Sequence, residues 1–338
     1  MLESRDGWLF HTNSWLAAQA SAGDDRSFAV VDEQGSILAV AALRRDWLRA
    51  LGPLSLPRLY NGRAGLAHRA GLAPELEREV DRFALARVKA LGQRGGGLLV
   101  NWERPSMMPP DCALEVELAS AGYRTSALAA QVIDLAPEED ALLAAAQSRC
   151  RRDVRRAQKL CVQVQVASSA ADVAIFAQLH RQTMASIGGA PWPDGAALRL
   201  WSALAPAGCC EILLARNPSG SPVAGIVTLH YRGASYYHAA ASAPGQREWL
   251  GNTRLVWEAI VRARARGDRA FHLGPVPRRD QAPAKAYRVG QFKAQFGGRE
   301  QPWLHSNLAL WPGLDLLMRA SARVRSGLRA RAERTFAP

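Results

Sequence analysis

The chain has 338 residues, 48% apolar and 22% charged, enough for two ordinary globular cores. No run of 18 apolar residues occurs, which excludes a conventional membrane-spanning helix, and the start MLESRDGWLF lacks a basic stretch followed by an apolar one, so the cytoplasm is the expected compartment. The net charge of +13 gathers in three segments, 147–159, 262–299 and 312–338, which points to a polyanionic partner such as RNA, a nucleotide or an anionic membrane face; a general preference for arginine codons is the other reading.

Residues 28–43 (FAVVDEQGSILAVAAL) read as two strands joined by a short turn at Gly35-Ser36. Residues 75–94 carry Leu76, Val80, Phe83, Val88 and Leu91 at helical spacing, then a glycine stop and a buried strand. Residues 131–135 (QVIDL) look like a strand. Pro137 opens a helix expected to run through Ala146 and on to Lys159, with Cys150, Val154, Ala157 and Cys161 as its apolar stripe and arginines on the other faces. Residues 162–166 (VQVQV) alternate as a half-buried strand. Residues 211–229 (EILLARNPSGSPVAGIVTL) read as a second hairpin, and Tyr236, Tyr237 and His238 alternate along a further strand. Residues 253–273 repeat the pattern of helix, glycine stop and strand, with Leu255, Val256, Ile260 and Val261 on one side. From Pro312 the tail reads as a basic helix packing back on the body; a membrane-surface helix is the alternative.

Two of these stretches match two others in order. At an offset of 185, Gly35 and Ser36 fall on Gly220 and Ser221; at an offset of 175, Gly92 falls on Gly267. The pattern predicts a duplicated unit of hairpin, helix and strand, with a boundary near residue 145. The five cysteines are odd in number and irregular in spacing, which favours reduced buried thiols over a disulfide frame or a zinc site; no metal is expected. Walker loops, nucleophile elbows, zinc-protease helices and dinucleotide fingerprints are absent from the sequence.

Four segments read together resemble one family: Phe10-His11-Thr12-Asn13-Ser14-Trp15; the basic run Arg151 to Lys159; Tyr236-Tyr237-His238-Ala239; and Gly290-Gln291-Phe292-Lys293-Ala294-Gln295-Phe296-Gly297-Gly298. The chain resembles the FemABX-type aminoacyl and peptidyltransferases and the related GNAT-superfamily acetyltransferases. That resemblance implies an α/β (α+β) fold of two tandem GNAT-like domains with a cleft between them. Residues 1–145 would form the acceptor side, 146–300 the catalytic and donor side, and 301–338 a basic helix returning to the first domain. Fem-type members move an amino acid from aminoacyl-tRNA to an amine of a peptidoglycan precursor, while other relatives use acyl-CoA.

By the same resemblance Lys293 stabilises the tetrahedral oxyanion of amide formation, a role worth about 2.7–4 kcal/mol for one donor, with the backbone of Phe292 beside the reacting groups. Without the resemblance, Lys293 reads as an exposed strand lysine between core phenylalanines. Tyr60 and Asn61 resemble the acceptor pocket, and Glu103 falls near an acidic position suited to orienting the amine. Tyr237, His238 and Tyr287 are expected at the substrate. Arg152, Arg155, Arg156, Lys159, Arg278 and Arg279 are expected to hold phosphates of a polyanion. Gln246 to Thr253 departs from the usual CoA loop: Gly251 is displaced by one place and Thr253 replaces the small residue, which favours aminoacyl-tRNA over acyl-CoA as donor. No resident cofactor and no DNA partner are expected. The acceptor is an amine, on a nucleotide-linked, lipid-linked or small molecule. A fold kept only to bind an anion, without catalysis, is the reading from another class.

Overall fold

The computed structural model describes residues 4–19, 23–51, 54–60, 65–95, 97–108, 111–187, 189–276, 284–311 and 313. Asn61, Arg278, Arg279 and the expected tail helix lie outside the described residues, as does the side chain of Tyr60.

The first half runs α1 (Asn13–Ala18), β1 (Asp24–Asp25), β2 (Phe28–Val31), β3 (Ile37–Ala41), β4 (Arg44–Leu51), β5 (Leu54–Tyr60), β6 (Leu66–His68), α2 (Pro74–Arg94), β7 (Leu99–Arg104), α3 (Cys112–Ser120) and β8 (Arg124–Asp134). The second runs α4 (Glu139–Ala145), α5 (Ser148–Lys159), β9 (Gln163–Val166), α6 (Ala170–Ile187), α7 (Ala196–Leu204), β10 (Cys210–Arg216), β11 (Pro222–Tyr231), β12 (Ala234–Ser242), α8 (Gly251–Ala265), β13 (Ala270–Val276), α9 (Ala284–Ala294) and β14 (Arg299–Ala309). Eleven strands form one sheet in the order β1-β4-β5-β7-β14-β8-β13-β12-β11-β10-β9, and β2-β3-β6 form a second.

The repeat read from the sequence is visible in hydrogen bonds. In the first turn Asp32 N donates to Ser36 O and Gly35 N to Asp32 O; in the second Asn217 N donates to Ser221 O and Gly220 N to Asn217 O. The offset of 185 therefore holds. The offset of 175 does not. Gly92 is buried inside α2, and the equivalent helix ends are Gly97 N to Gly92 O and Asp268 N to Ala263 O, an offset of 171. Each helix then delivers a parallel strand: β7 beside β5, with Arg58 opposite Leu99, and β13 beside β12, with Ala234 opposite Ala270.

The halves differ where the first bends. β3 stops at Ala41 and β4 turns away to pair with β5, so the β2-β3 hairpin leaves the large sheet and joins β6. In the second half β11 runs unbroken and pairs along its length with both β10 and β12. The last strands cross over. β8 pairs with β13 of the other half, and β14 lies between β7 and β8.

Three expectations are corrected. The helix expected across 137–159 breaks at Ala146-Gln147, both extended, where Gln147 N donates to Gln295 O, a backbone bond that a continuous helix would forbid. Cys161 is not in the α5 stripe: it follows the helix with φ of 54° and is exposed, while Cys150, Val154 and Ala157 are fully buried. Phe83 points outward from α2 and is 59% exposed; the buried side is Val80, Ala84, Leu85 and Val88. α2 itself starts as its sequence demands, with Pro74 at its first position and Glu75 and Glu77 against the positive end of the helix dipole.

Candidate active site

β12 and β13 pair only from Ala234 to Tyr236 and from Ala270 to His272, then part. Two irregularities cause the parting. On β12, Val227 opposes Ala239 and Thr228 opposes Tyr237, which leaves His238 as a bulge; on β13 the register with β8 slips between His272 and Pro275. Gly274 sits in that slip with φ of 76°, a conformation open to glycine and costly for other residues. Backbone groups past Tyr236 on β12 and past His272 on β13 thus face a gap rather than each other.

Lys293 reaches into this gap from the C-terminal turn of α9. It is not an exposed strand lysine; it is helical and 8% exposed. Its Nζ donates to Pro275 O at 3.2 Å and stands 5.7 Å from the centre of the Tyr237 ring, whose face favours the cation. The point that a Cβ on Gly274 would occupy is 3.4 Å from Lys293 Nζ and 3.4 Å from Tyr236 Oη. A side chain there would fill the space between them. Burial pushes the Tyr237 hydroxyl up, so it stays protonated.

Tyr236 stands on the other face of β12 in an aromatic layer, its ring centre 5.8 Å from Trp303, 6.2 Å from both Trp8 and Phe10, and 5.9 Å from His238. Trp303 Nε1 donates to Glu103 Oε2 at 3.4 Å, so Glu103 connects to Tyr236 through that indole. His238 lies between Trp15 at 5.7 Å and Trp192 at 5.6 Å. Trp192 also covers His180, which burial holds below the usual histidine range.

Of the expected site residues, the structure brings Lys293 and Tyr237 together at the gap, while His238 stands in the aromatic layer on the other face of β12 and Glu103 reaches Tyr236 through the Trp303 ring. The Phe292 side chain packs in the core, edge-on to Phe296 at 5.3 Å. Tyr287 is half-buried nearly two turns before Lys293 on α9. Tyr60 ends β5 opposite Asn101, in the first half. Arg152, Arg155, Arg156 and Lys159 form the exposed face of α5. Arg152 is 3.9 Å from Asp153, and among the described residues Arg155, Arg156 and Lys159 have no carboxylate within ion-pair distance. The Gln147-Gln295 bond sets the start of this basic helix against the end of the helix that carries Lys293. Sequence reasoning missed Gly274 and Trp303. Gly274-Pro275 directly after a buried strand was the available signal for the first.

Gly251, displaced by one place from the CoA-loop pattern, is buried where α8 meets the sheet: a Cβ there would lie 2.9 Å from the Ala224 side chain and 3.0 Å from Val223. Packing explains it without a ligand.

Histidines elsewhere are committed. His68 donates through both ring nitrogens, to Asp6 and Asp81, each at 2.9 Å. Burial opposes its charge, but the two carboxylates win and raise it to about 10. His272, 2.9 Å from Ser106 Oγ, is driven down to about 4 by burial. His230 is likewise held at about 4, by burial and then by Arg266.

Residues 144–288 match the family described as Acetyltransferase (GNAT) domain, a stretch that ends just before Lys293. No curated protein matches the sequence. Among solved structures the chain is similar to FemX, at 16% sequence identity and a TM-score of 0.67, covering 93% of this chain and 95% of that one. It is also similar to L-PGS from Bacillus licheniformis, at 14% and 0.58, covering 91% of each. The C-terminal domain of a putative lysylphosphatidylglycerol synthetase from Agrobacterium fabrum matches at 15% and 0.55, over 91% of this chain and 90% of that one. Residues 144–288 are therefore similar to a GNAT acetyltransferase domain, and the chain as a whole shares the fold of FemX.

Proposed function

We propose that this protein forms an amide by moving an aminoacyl group from aminoacyl-tRNA to an amine, with Lys293 stabilising the oxyanion. The observation that carries the reading is the Lys293 ammonium, buried in the gap between β12 and β13 and fixed by Pro275 O and the Tyr237 ring. Attack of the amine on the ester carbonyl forms the C–N bond and places negative charge on the carbonyl oxygen. The C–O bond to the tRNA ribose then breaks, and the proton lost by the amine ends on the ribose oxygen. A preplaced cation in a water-poor gap favours the charged intermediate over the neutral ester.

The donor is assigned to tRNA because the exposed arginines of α5 adjoin the end of α9, and because Gly251 is consumed by packing. In this reading residues 1–145 and 146–300 are the two tandem units, the first holding the acceptor amine near Glu103. The acceptor is a cell-envelope amine, a class consistent with structural likeness to FemX and to lysylphosphatidylglycerol synthetases. The site of action is the cytoplasm, where charged tRNA is found; among the described residues no helix is long and apolar enough to cross a membrane.

The description of the matched family as an acetyltransferase domain favours a second reading, an acyl-CoA donor. One experiment separates the two. Purified protein is tested for aminoacyl-tRNA binding at low and moderate salt and for thermal stabilisation by CoA thioesters. Salt-sensitive tRNA binding without CoA stabilisation supports the proposal; stabilisation by a CoA thioester with no tRNA binding overturns it in favour of the second reading. Loss of turnover in a folded Lys293→Met variant excludes a purely anion-binding role.

A further inference from the structure

A groove of about 910 Å³ opens on the aromatic face of the sheet, where the two halves meet. Its floor is His272 and Ala270 of β13 with Val132 of β8, and its walls come from the segment Arg5 to Trp8 and the turn Arg104 to Met108. Its size suits a drug-sized organic molecule, for which pockets of about 300–1,000 Å³ are usual.

Its lining is mixed in charge, with Asp6, Glu115, Asp134 and Glu300 among five arginines. Arg232, Arg269 and Arg299 line the rim, all exposed, and among the described residues none has a carboxylate within ion-pair distance. Arg232 is fixed by donating to Ser4 O at 2.7 Å and Gly7 O at 3.1 Å, which also pins the N-terminal segment that forms one wall. Deeper in, Arg104 is 7% exposed. Its nearest carboxylate, Glu115, stands 3.7 Å away, longer than a hydrogen bond, and its enclosed Nη2 has no hydrogen-bond partner. A buried guanidinium with an unmet donor is costly, and an anion drawn to its side of the groove would relieve it. Trp8, Met107 and Pro302 add apolar surface to the lining.

We propose that this groove binds an anionic ligand, a phosphate or carboxylate carried on an apolar body, at a site separate from the gap that holds Lys293. His272 and Gly274 lie on one strand face roughly 7 Å apart. Lys293, Tyr237 and Gly274 are not among the groove's lining residues, and neither are the buried rings of Tyr236 and Trp303, 2% and 0% exposed. The groove and the acyl-transfer gap are thus lined by different residues.

The test is calorimetric titration of the full chain at fixed ionic strength with octyl phosphate, octanoate and inorganic pyrophosphate. Saturable one-to-one binding of octyl phosphate or octanoate, tighter than pyrophosphate, is expected, and the two amphiphiles distinguish phosphate from carboxylate. The double variant Arg269→Gln with Arg299→Gln alters only exposed side chains and should weaken binding about tenfold, or about 1.4 kcal/mol. Lys293→Met should leave it unchanged even where transfer is strongly slowed, so this result stands apart from the fate of the proposed reaction. No saturable binding, wild-type binding by the double variant, or loss of binding in Lys293→Met would each overturn the proposal.

Discussion

Lys293 and Gly274 are two halves of one device. The glycine leaves the space, and the lysine and Tyr236 border it. Replacing Lys293 with Met keeps the chain's bulk and removes the charge, so turnover should fall roughly 100- to 1,000-fold with little change in melting temperature, as expected for one lost oxyanion donor. Steady-state kinetics beside a melting curve checks this. Gly274→Val should be worse on both counts, because it fills the space and forces a side chain into φ of 76°. Lys293 was legible only through the family resemblance. Composition and periodicity made it a surface lysine, since nothing in Gln291 to Gln295 announces that α9 ends beside a slipped strand. The partnership with Tyr237 was out of reach for the same reason: the two residues are far apart in sequence and meet only because β12 bulges.

At the scale of elements, the sequence was most legible where local chemistry decides. The paired turns at Asp32 and Asn217 show the same side-chain bonds, Ser36 N donating to Asp32 Oδ1 and Ser221 N donating to Asn217 Oδ1, and short polar residues announce such turns. It was least legible where long-range contacts override local signals, as at the α4-α5 break, which depends on Gln295. β14 depends on Gly298 at its start. Gly298 has φ of 87°, and a Cβ there would lie 2.5 Å from Val132 O. Gly298→Ala should therefore disturb the β14-β8 ladder and destabilise the protein by about 2 kcal/mol or more. A urea unfolding curve reads this, and the whole transition should shift rather than split, since β14 belongs to both halves.

For the molecule as a whole, three histidines set opposite pH limits. His230 and His272 are held at about 4 in the fold against an ordinary value near 6.5. Between those values the unfolded chain takes up protons that the fold refuses, so stability should fall on acidification from pH 6.5 towards 4, by about 1.4 kcal/mol per pH unit for each histidine at most. His68 behaves oppositely. Raised to about 10, it contributes fully below pH 6.5 and loses its contribution as the pH climbs towards 10. Unfolding free energies from pH 4 to 10 should form a dome, and His68→Gln should flatten its alkaline side. Failure of that side to flatten would remove the Asp6-His68-Asp81 cluster as its cause.

The crossing of β8 and β14 has a consequence for how the chain can be taken apart. Each half completes its sheet with a strand bordering the other, so neither half is a detachable module. A backbone cut in the link between β8 and α5 should leave two pieces that stay clasped, like hooked fingers. Either piece made alone would carry a bare strand edge into solution and clump.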